Sequence, residues 1–201
     1  MLVSYPVCAF FVFKIFRFYK FPTLWSVLYA VAITFMSPQI FRLTGHLSLS
    51  YVFAIPVMWY LLLKISSGKR FLWLSISVLY LLIFFFTHPY LGLILAVFAL
   101  FYWGAYFFTG CKSLPHIKKT ITNAFIQVGL PIIIFQVIMF LSDTHSGRLN
   151  NPAGFFDLHA TWSSVLVGHH GPVIAIKPFF GLESGNWESW SYIGFTSILF
   201  F

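Results

Sequence analysis

The sequence predicts an all-α protein: a polytopic integral membrane helical bundle of about seven spans, the last truncated, with a long outer loop containing short surface helices. Three observations predict it. The 201 residues are 60% hydrophobic, 22% aromatic and only 8% charged, with a mean hydropathy of +0.89. A soluble domain carries near a quarter charged residues, so this chain could not cover its own surface in water, and its solvent is lipid. Apolar runs long enough to serve as spans recur along the chain, separated by short polar turns. The basic residues are concentrated in every second turn.

The first span runs from about Leu2 to Phe18 and ends in the basic turn of Lys14, Arg17 and Lys20. The second, Pro22 to about Met36, stops at Ser37-Pro38, because proline disfavours helix in the residue before it. SPQIFRLTGH leads to a third span, Leu47 to Leu63, in which Pro56 is expected to make a kink. The turn KISSGKR follows. A fourth span, Phe71 to Phe86, meets the tight link THP, and a fifth covers Tyr90 to Phe108. After TGCKSLPHIKK comes a sixth span, about Thr122 to Leu141, with Gly129 and Pro131 inside it, which neighbouring helices can tolerate in a membrane. A seventh begins near Trp190 and is cut off at SILFF, as expected of a fragment of a longer transmembrane domain.

The net charge of +8 could suggest nucleic acid, but the basic residues form short clusters at helix ends, with no extended basic face. Lys14, Arg17, Lys20, Lys64, Lys69, Arg70, Lys112, Lys118 and Lys119 fall in the turns after spans one, three and five; the alternate turns hold only Arg42, Arg148 and Lys177. Nine against three, in strict alternation, is a positive-inside pattern. It puts the amino terminus, SPQIFRLTGH, THP and the loop over residues 142–190 on the outer face of a bacterial-type inner membrane. Cys8 and Cys111 lie outside that loop and imply no disulfide framework. Met1 leads into LVSYPVCAFFVF without a basic n-region or cleavage site, unlike a signal peptide.

All four acidic residues lie between Asp143 and Glu188, together with four of the seven histidines. Carboxylates beside histidines can act as general bases or bind a divalent metal. Asp157, flanked by apolar residues, and Glu183 and Glu188, close to the return into the membrane, are the catalytic candidates, with His159 beside Asp157. No spacing matches a zinc signature, no cofactor motif occurs, and a solvated loop often carries such residues idly. Trp162, Trp187 and Trp190 are placed to stack on sugar rings or to form an interfacial belt, and Trp187 is the substrate-binding candidate among them.

Arg42 and His46 flank a helix break at the outer headgroup level. An arginine fork with a nearby histidine suits a phosphate; the alternative is that Arg42 snorkels to lipid headgroups and His46 caps a helix. His88 stands between two spans at the same face, a functional position by default, or else a turn histidine bonded to a carbonyl beside Pro89. Arg42, His46 and His88 are expected to line one pocket roofed by residues 155–190.

In SPQIFRLTGHLSLSYVFAIPVMWYLL, in HPYLGL at 88–93 and in ESWSYIGF at 188–195, the chain resembles polytopic bacterial membrane proteins of the GT-C glycosyltransferase type. The resemblance implies sugar transfer from a polyprenyl-phosphate donor at the extracytoplasmic face, in envelope glycan assembly. Arg42 and His46 would hold the donor phosphate, a loop carboxylate would assist the acceptor, and His88, His159 and Trp187 complete the lipid-phosphate or substrate-binding candidates. Such proteins usually keep a key acid in the first outer loop, whereas Ser37 to His46 holds no Asp or Glu. The implied partners are membrane lipid and a polyprenyl-phosphate-linked sugar. An O-antigen-type polymerase, a transporter or flippase, and a non-catalytic scaffold are the competing functions. Transporters place polar residues at the midplane on broken helices, whereas the charges here sit at the faces.

Overall fold

The computed structural model describes residues 3–37, 50–68, 70–110, 113–144 and 178–181. Among them every regular element is helical. The chain divides into two compact units, Met1–Thr144 and His145–Phe201. The first holds α1 (Ser4–Phe18), α2 (Thr23–Phe35), α3 (Ala54–Ser67), α4 (Arg70–Thr87), α5 (Pro89–Thr109), α6 (Leu114–Ala124), a π-helical segment (Phe125–Gly129) and α7 (Leu130–Ser142). In the second, the described residues form a single 3-10 turn, Pro178–Phe180, closed by Gly181 at φ 63°.

Among the described residues, two helices are long and apolar enough to cross a membrane. They are α5, with 21 residues, and the continuous helix Leu114–Ser142, with 29. α2, α3 and α4 are apolar but shorter. Only 33% and 17% of the most apolar window of the two long helices is buried in the protein. Their outward faces carry residues such as Val97, Leu100 and Phe101 on α5 and Ile133, Val137 and Phe140 on α7. Apolar patches of that extent are rare on a soluble monomer.

Pair contacts fix the helix directions. Ser4 Oγ accepts the Val52 N–H at 3.1 Å, bringing the start of α1 beside the residues leading into α3. Tyr5 stacks on Phe35, so α2 ends where α1 begins. Tyr80 donates its hydroxyl hydrogen to the Ala54 carbonyl at 3.0 Å, and Phe84 meets Tyr51 and Phe53 edge-on, which sets α4 antiparallel to α3. Ser66 Oγ and Tyr102 OH are 2.8 Å apart, joining the last turns of α3 to the later half of α5. Phe85 and Phe86 pack on Phe135, and Tyr106 stacks on His116. Thus α1, α3 and α5 run one way, and α2, α4 and α6–α7 the other.

The consequence is a one-sided charge distribution. Every Lys and Arg among the described residues (Lys14, Arg17, Lys20, Lys64, Arg70, Lys118 and Lys119) falls at or toward the end where α1, α3 and α5 finish. His88 and Asp143 lie at the opposite end. At the basic end, Arg17 donates from Nη1 to the Phe21 carbonyl at 2.6 Å, and Lys20 adopts a left-handed φ of 64° to reverse the chain before Pro22.

Two helix boundaries depart from the sequence reading. The third helix begins at Ala54 rather than near Leu47; residues 50–53 are non-helical, with Val52 and Phe53 in a turn. Pro56 is therefore the third residue of α3, in the first turn, where no N–H has an intrahelical partner to lose. At that position it costs the helix no backbone hydrogen bond. The sixth span begins at Leu114 rather than Thr122. Ser113 is its N-cap residue and Pro115 sits in the first turn, a proline-started helix.

Candidate functional site

At the end of the bundle opposite the basic residues, His88 is the single residue between α4 and α5. Pro89 forces it into extended backbone, φ −157° and ψ 98°. Its N–H closes α4 on the Phe84 carbonyl at 2.8 Å, while its own carbonyl accepts from Leu91 at 2.9 Å and Gly92 at 3.1 Å to start α5. The backbone therefore makes the turn unaided. The half-buried ring leans toward Tyr90, centroids 5.7 Å apart. Its Nδ1 is shielded from solvent and has no hydrogen-bond partner. Buried polar atoms are normally paired, so this nitrogen has unused hydrogen-bonding capacity. The carbonyl-bonded turn histidine of the sequence reading requires a ring bond that Nδ1 does not make.

An apolar groove of about 640 Å³ runs along the first three helices. Cys8, Val12, Ile15 and Phe16 of α1 form its floor. Tyr19 and Phe21 line it toward the basic end, Met36, Ser37 and Val52 toward the other, and Ile55, Pro56 and Trp59 of α3 form a wall. Neither charged residue nor acid is among these. Ser37 and Val52 flank the link that carries Arg42 and His46. His88 does not line this groove.

A third feature, this one polar, lies in the middle of the bundle. Trp103 Nε1 donates to Gln127 Oε1 at 2.7 Å, and Gln127 Nε2 approaches Met58 Sδ at 3.4 Å. Gln127 and Asn123 are fully buried and Thr120 nearly so. The π-segment holds Gln127 in this position. Its neighbour Gly129 is overlaid by the Phe125 ring. Sequence reasoning missed this seam because it sought charges. The signal was present in Thr120, Asn123 and Gln127, whose spacing of three and four puts uncharged polar groups on one helix face.

Of the site residues read from the sequence, His88 alone lies among the described residues. Arg42, His46, Asp157, His159, Glu183, Trp187 and Glu188 lie outside them, as does the roof over residues 155–190. Among the described residues, no three His, Cys, Asp or Glu side chains come together as a metal site.

Helices with outward apolar faces, charges gathered at one end and an unpaired histidine at the other define a helical protein with membrane-span character. The chain belongs to the family described as "Domain of unknown function (DUF6311)", which matches residues 1–201. No curated protein and no solved structure matches it.

Proposed function

We propose that the protein is a multi-pass inner-membrane protein that handles a lipid-linked substrate at its extracytoplasmic face, as a GT-C-like glycosyltransferase does with a polyprenyl-phosphate-linked sugar. The observation that carries this reading is the groove. It is apolar, it follows the helix axes, and the two flanks of the Arg42 and His46 link border one end of it. At about 30 Å³ per methylene-sized unit, comparable to one water in the liquid, 640 Å³ holds on the order of twenty carbon atoms of a lipid tail.

The positive-inside rule assigns the basic end to the cytoplasm, which leaves His88, the link over 38–49 and the acidic stretch on the outer side. In this reading Arg42 grips the phosphate with two parallel hydrogen bonds and His46 supports it. His88 Nδ1 meets a polar group of the substrate, and Asp157, Glu183 or Glu188 assists the acceptor. His159 and Trp187 would position the sugar. Crosslinking with a diazirine-bearing polyprenyl phosphate tests it. Adducts are expected at Val12, Ile55 or Trp59, with several-fold loss in Arg42→Lys, because lysine offers only a point charge. Adducts spread over lipid-facing residues such as Leu24 and Leu28, and unchanged in Arg42→Lys, would reject it.

One observation favours a transporter instead. Gln127, in the π-segment, and Asn123, just before it, are buried polar residues where a long helix departs from α geometry, which is akin to the midplane polar placement of transporters. Crosslinking centred on these residues by a polar solute, with the groove unlabelled, would select that reading.

A further inference from the structure

We propose that the π-segment Phe125–Gly129 is a hinge within the long helix Leu114–Ser142, latched by the Trp103–Gln127 hydrogen bond. The two halves of this helix are fixed to different neighbours. α6 belongs with α5: His116 stacks on Tyr106 with centroids 4.9 Å apart, and its Nε2 lies 3.4 Å from the Tyr106 carbonyl. α7 belongs with α4: the Phe135 ring stacks on Phe85 at 5.2 Å and meets Phe86 at 5.3 Å. The joint between these anchored halves is the one place where the helix departs from α geometry.

The sequence makes the joint soft for a stated reason. Pro131 has no N–H, so a carbonyl one turn earlier, within the π-segment, loses its intrahelical donor. Pro131 is itself fully buried, so bulk solvent does not take over that bond. Gly129 supplies no side chain to brace the turn. What holds the joint is Gln127, reaching Trp103 on α5 and Met58 on α3. Only the first is a strong bond, since a thioether is a weak acceptor. Rigid elements on both sides and a short segment absorbing the change are the ingredients of hinge motion. Opening the latch would let α7, carried with α4, move against α5 while α6 stays on α5. The inference does not depend on the transferase reading, because any substrate handled at the His88 end would meet the same joint.

Double electron–electron resonance on the full chain in lipid nanodiscs tests it, in a background of Cys8→Ala and Cys111→Ser. One spin-label pair, at Leu100 and Phe140, reports α5 against α7 across the joint; a second, at Phe101 and Ile121, reports α5 against α6 on one side of it. All four positions are exposed. Trp103→Phe keeps the ring and removes the donor. It is expected to add a second distance or a clear broadening to the α5–α7 pair alone. Amide exchange over residues 124–130 should quicken roughly three- to tenfold, as loss of one buried hydrogen bond implies. Gln127→Met should do the same, and Pro131→Ala, which restores the missing donor, should leave one narrow distance. Unchanged distances and exchange in both latch variants would overturn the hinge. So would equal broadening of both pairs, which would mean a generally loosened bundle.

Discussion

Gly92 sets how closely α4 and α5 approach beneath His88, and replacing it measures that approach. A Cβ at this position would lie 2.6 Å from Phe85 Cδ1, 2.8 Å from Cγ and 2.9 Å from the Phe85 Cα. The last contact decides the outcome. A ring can rotate away, but a backbone atom moves only with its helix, and this ring is itself held against Phe135. Ordinary contact begins near 3.4 Å, so α5 must retreat from α4 by about 0.5 Å. Overpacking of this kind costs about 1–3 kcal/mol. Gly→Ala in a helix also returns roughly 0.5–1 kcal/mol of backbone entropy, which complicates a single measurement. Gly104, on the same helix, removes the complication, since nothing lies within 4 Å of its Cβ position. Gly104→Ala gains the entropy without the clash, and the gap between the two variants reads the clash alone. At ~2–4 °C per kcal/mol for a chain of this size, thermal unfolding in detergent should separate them by about 2–12 °C, Gly104→Ala melting higher. Equal melting temperatures would refute the close approach, and with it the claim that Gly92 positions the His88 link.

Tyr80→Phe deletes the bond to the Ala54 carbonyl and should lower stability by about 1 kcal/mol in the same assay. Lys20→Gly should raise it by up to about 1 kcal/mol, because a left-handed backbone costs a side chain that much or more; a lower melting point would show that the turn is not strained. For topology, a single cysteine at Thr144 should react with an impermeant maleimide in intact cells, and one at Lys118 should not. Labelling at Lys118 would invert the proposed orientation, since both residues belong to one continuous helix with its bordering turn.

Helix existence was legible here and helix boundaries less so. His88-Pro89 gave a sharp break because proline constrains the residue before it, and α4 and α5 meet there as the THP link implies. At the third helix, LSLSYVF is apolar enough to pass for helix, yet residues 50–53 are non-helical, with the Val52 N–H held by Ser4, a partner 48 residues away. No local pattern reports such a contact. At α6 the lysines were read as a turn, although Ser113-Leu114-Pro115 carried a helix-start signal. The π-segment could not be read at all, since one extra residue per turn in an apolar run leaves hydropathy unchanged. Charged candidates such as Arg42 and Asp157 stood out by contrast with their surroundings. Gln127 and Trp103 did not, because the property that makes them a pair is distance in space.

The groove and the seam also differ in what keeps them as they are. In water, a 640 Å³ apolar hollow between α1, α2 and α3 would tend to collapse, because closing it would remove apolar surface from solvent. In lipid that drive is absent, since acyl chains are as apolar as the side chains they replace. The groove can then persist if its walls are fixed at the ends, and they are. Ser4 ties α1 to Val52 at one end, Arg17 closes on Phe21 at the other, and Phe11 meets Tyr60 edge-on between them. The seam has the opposite physics. A buried amide surrounded by hydrocarbon is costly when unpaired, so Trp103 and Gln127 hold each other strongly while the groove holds nothing of its own. A chain built this way buries its paired amide among α3–α7 and leaves its apolar groove to α1–α3; under the proposed function, a lipid tail would enter that groove without disturbing the Trp103–Gln127 bond.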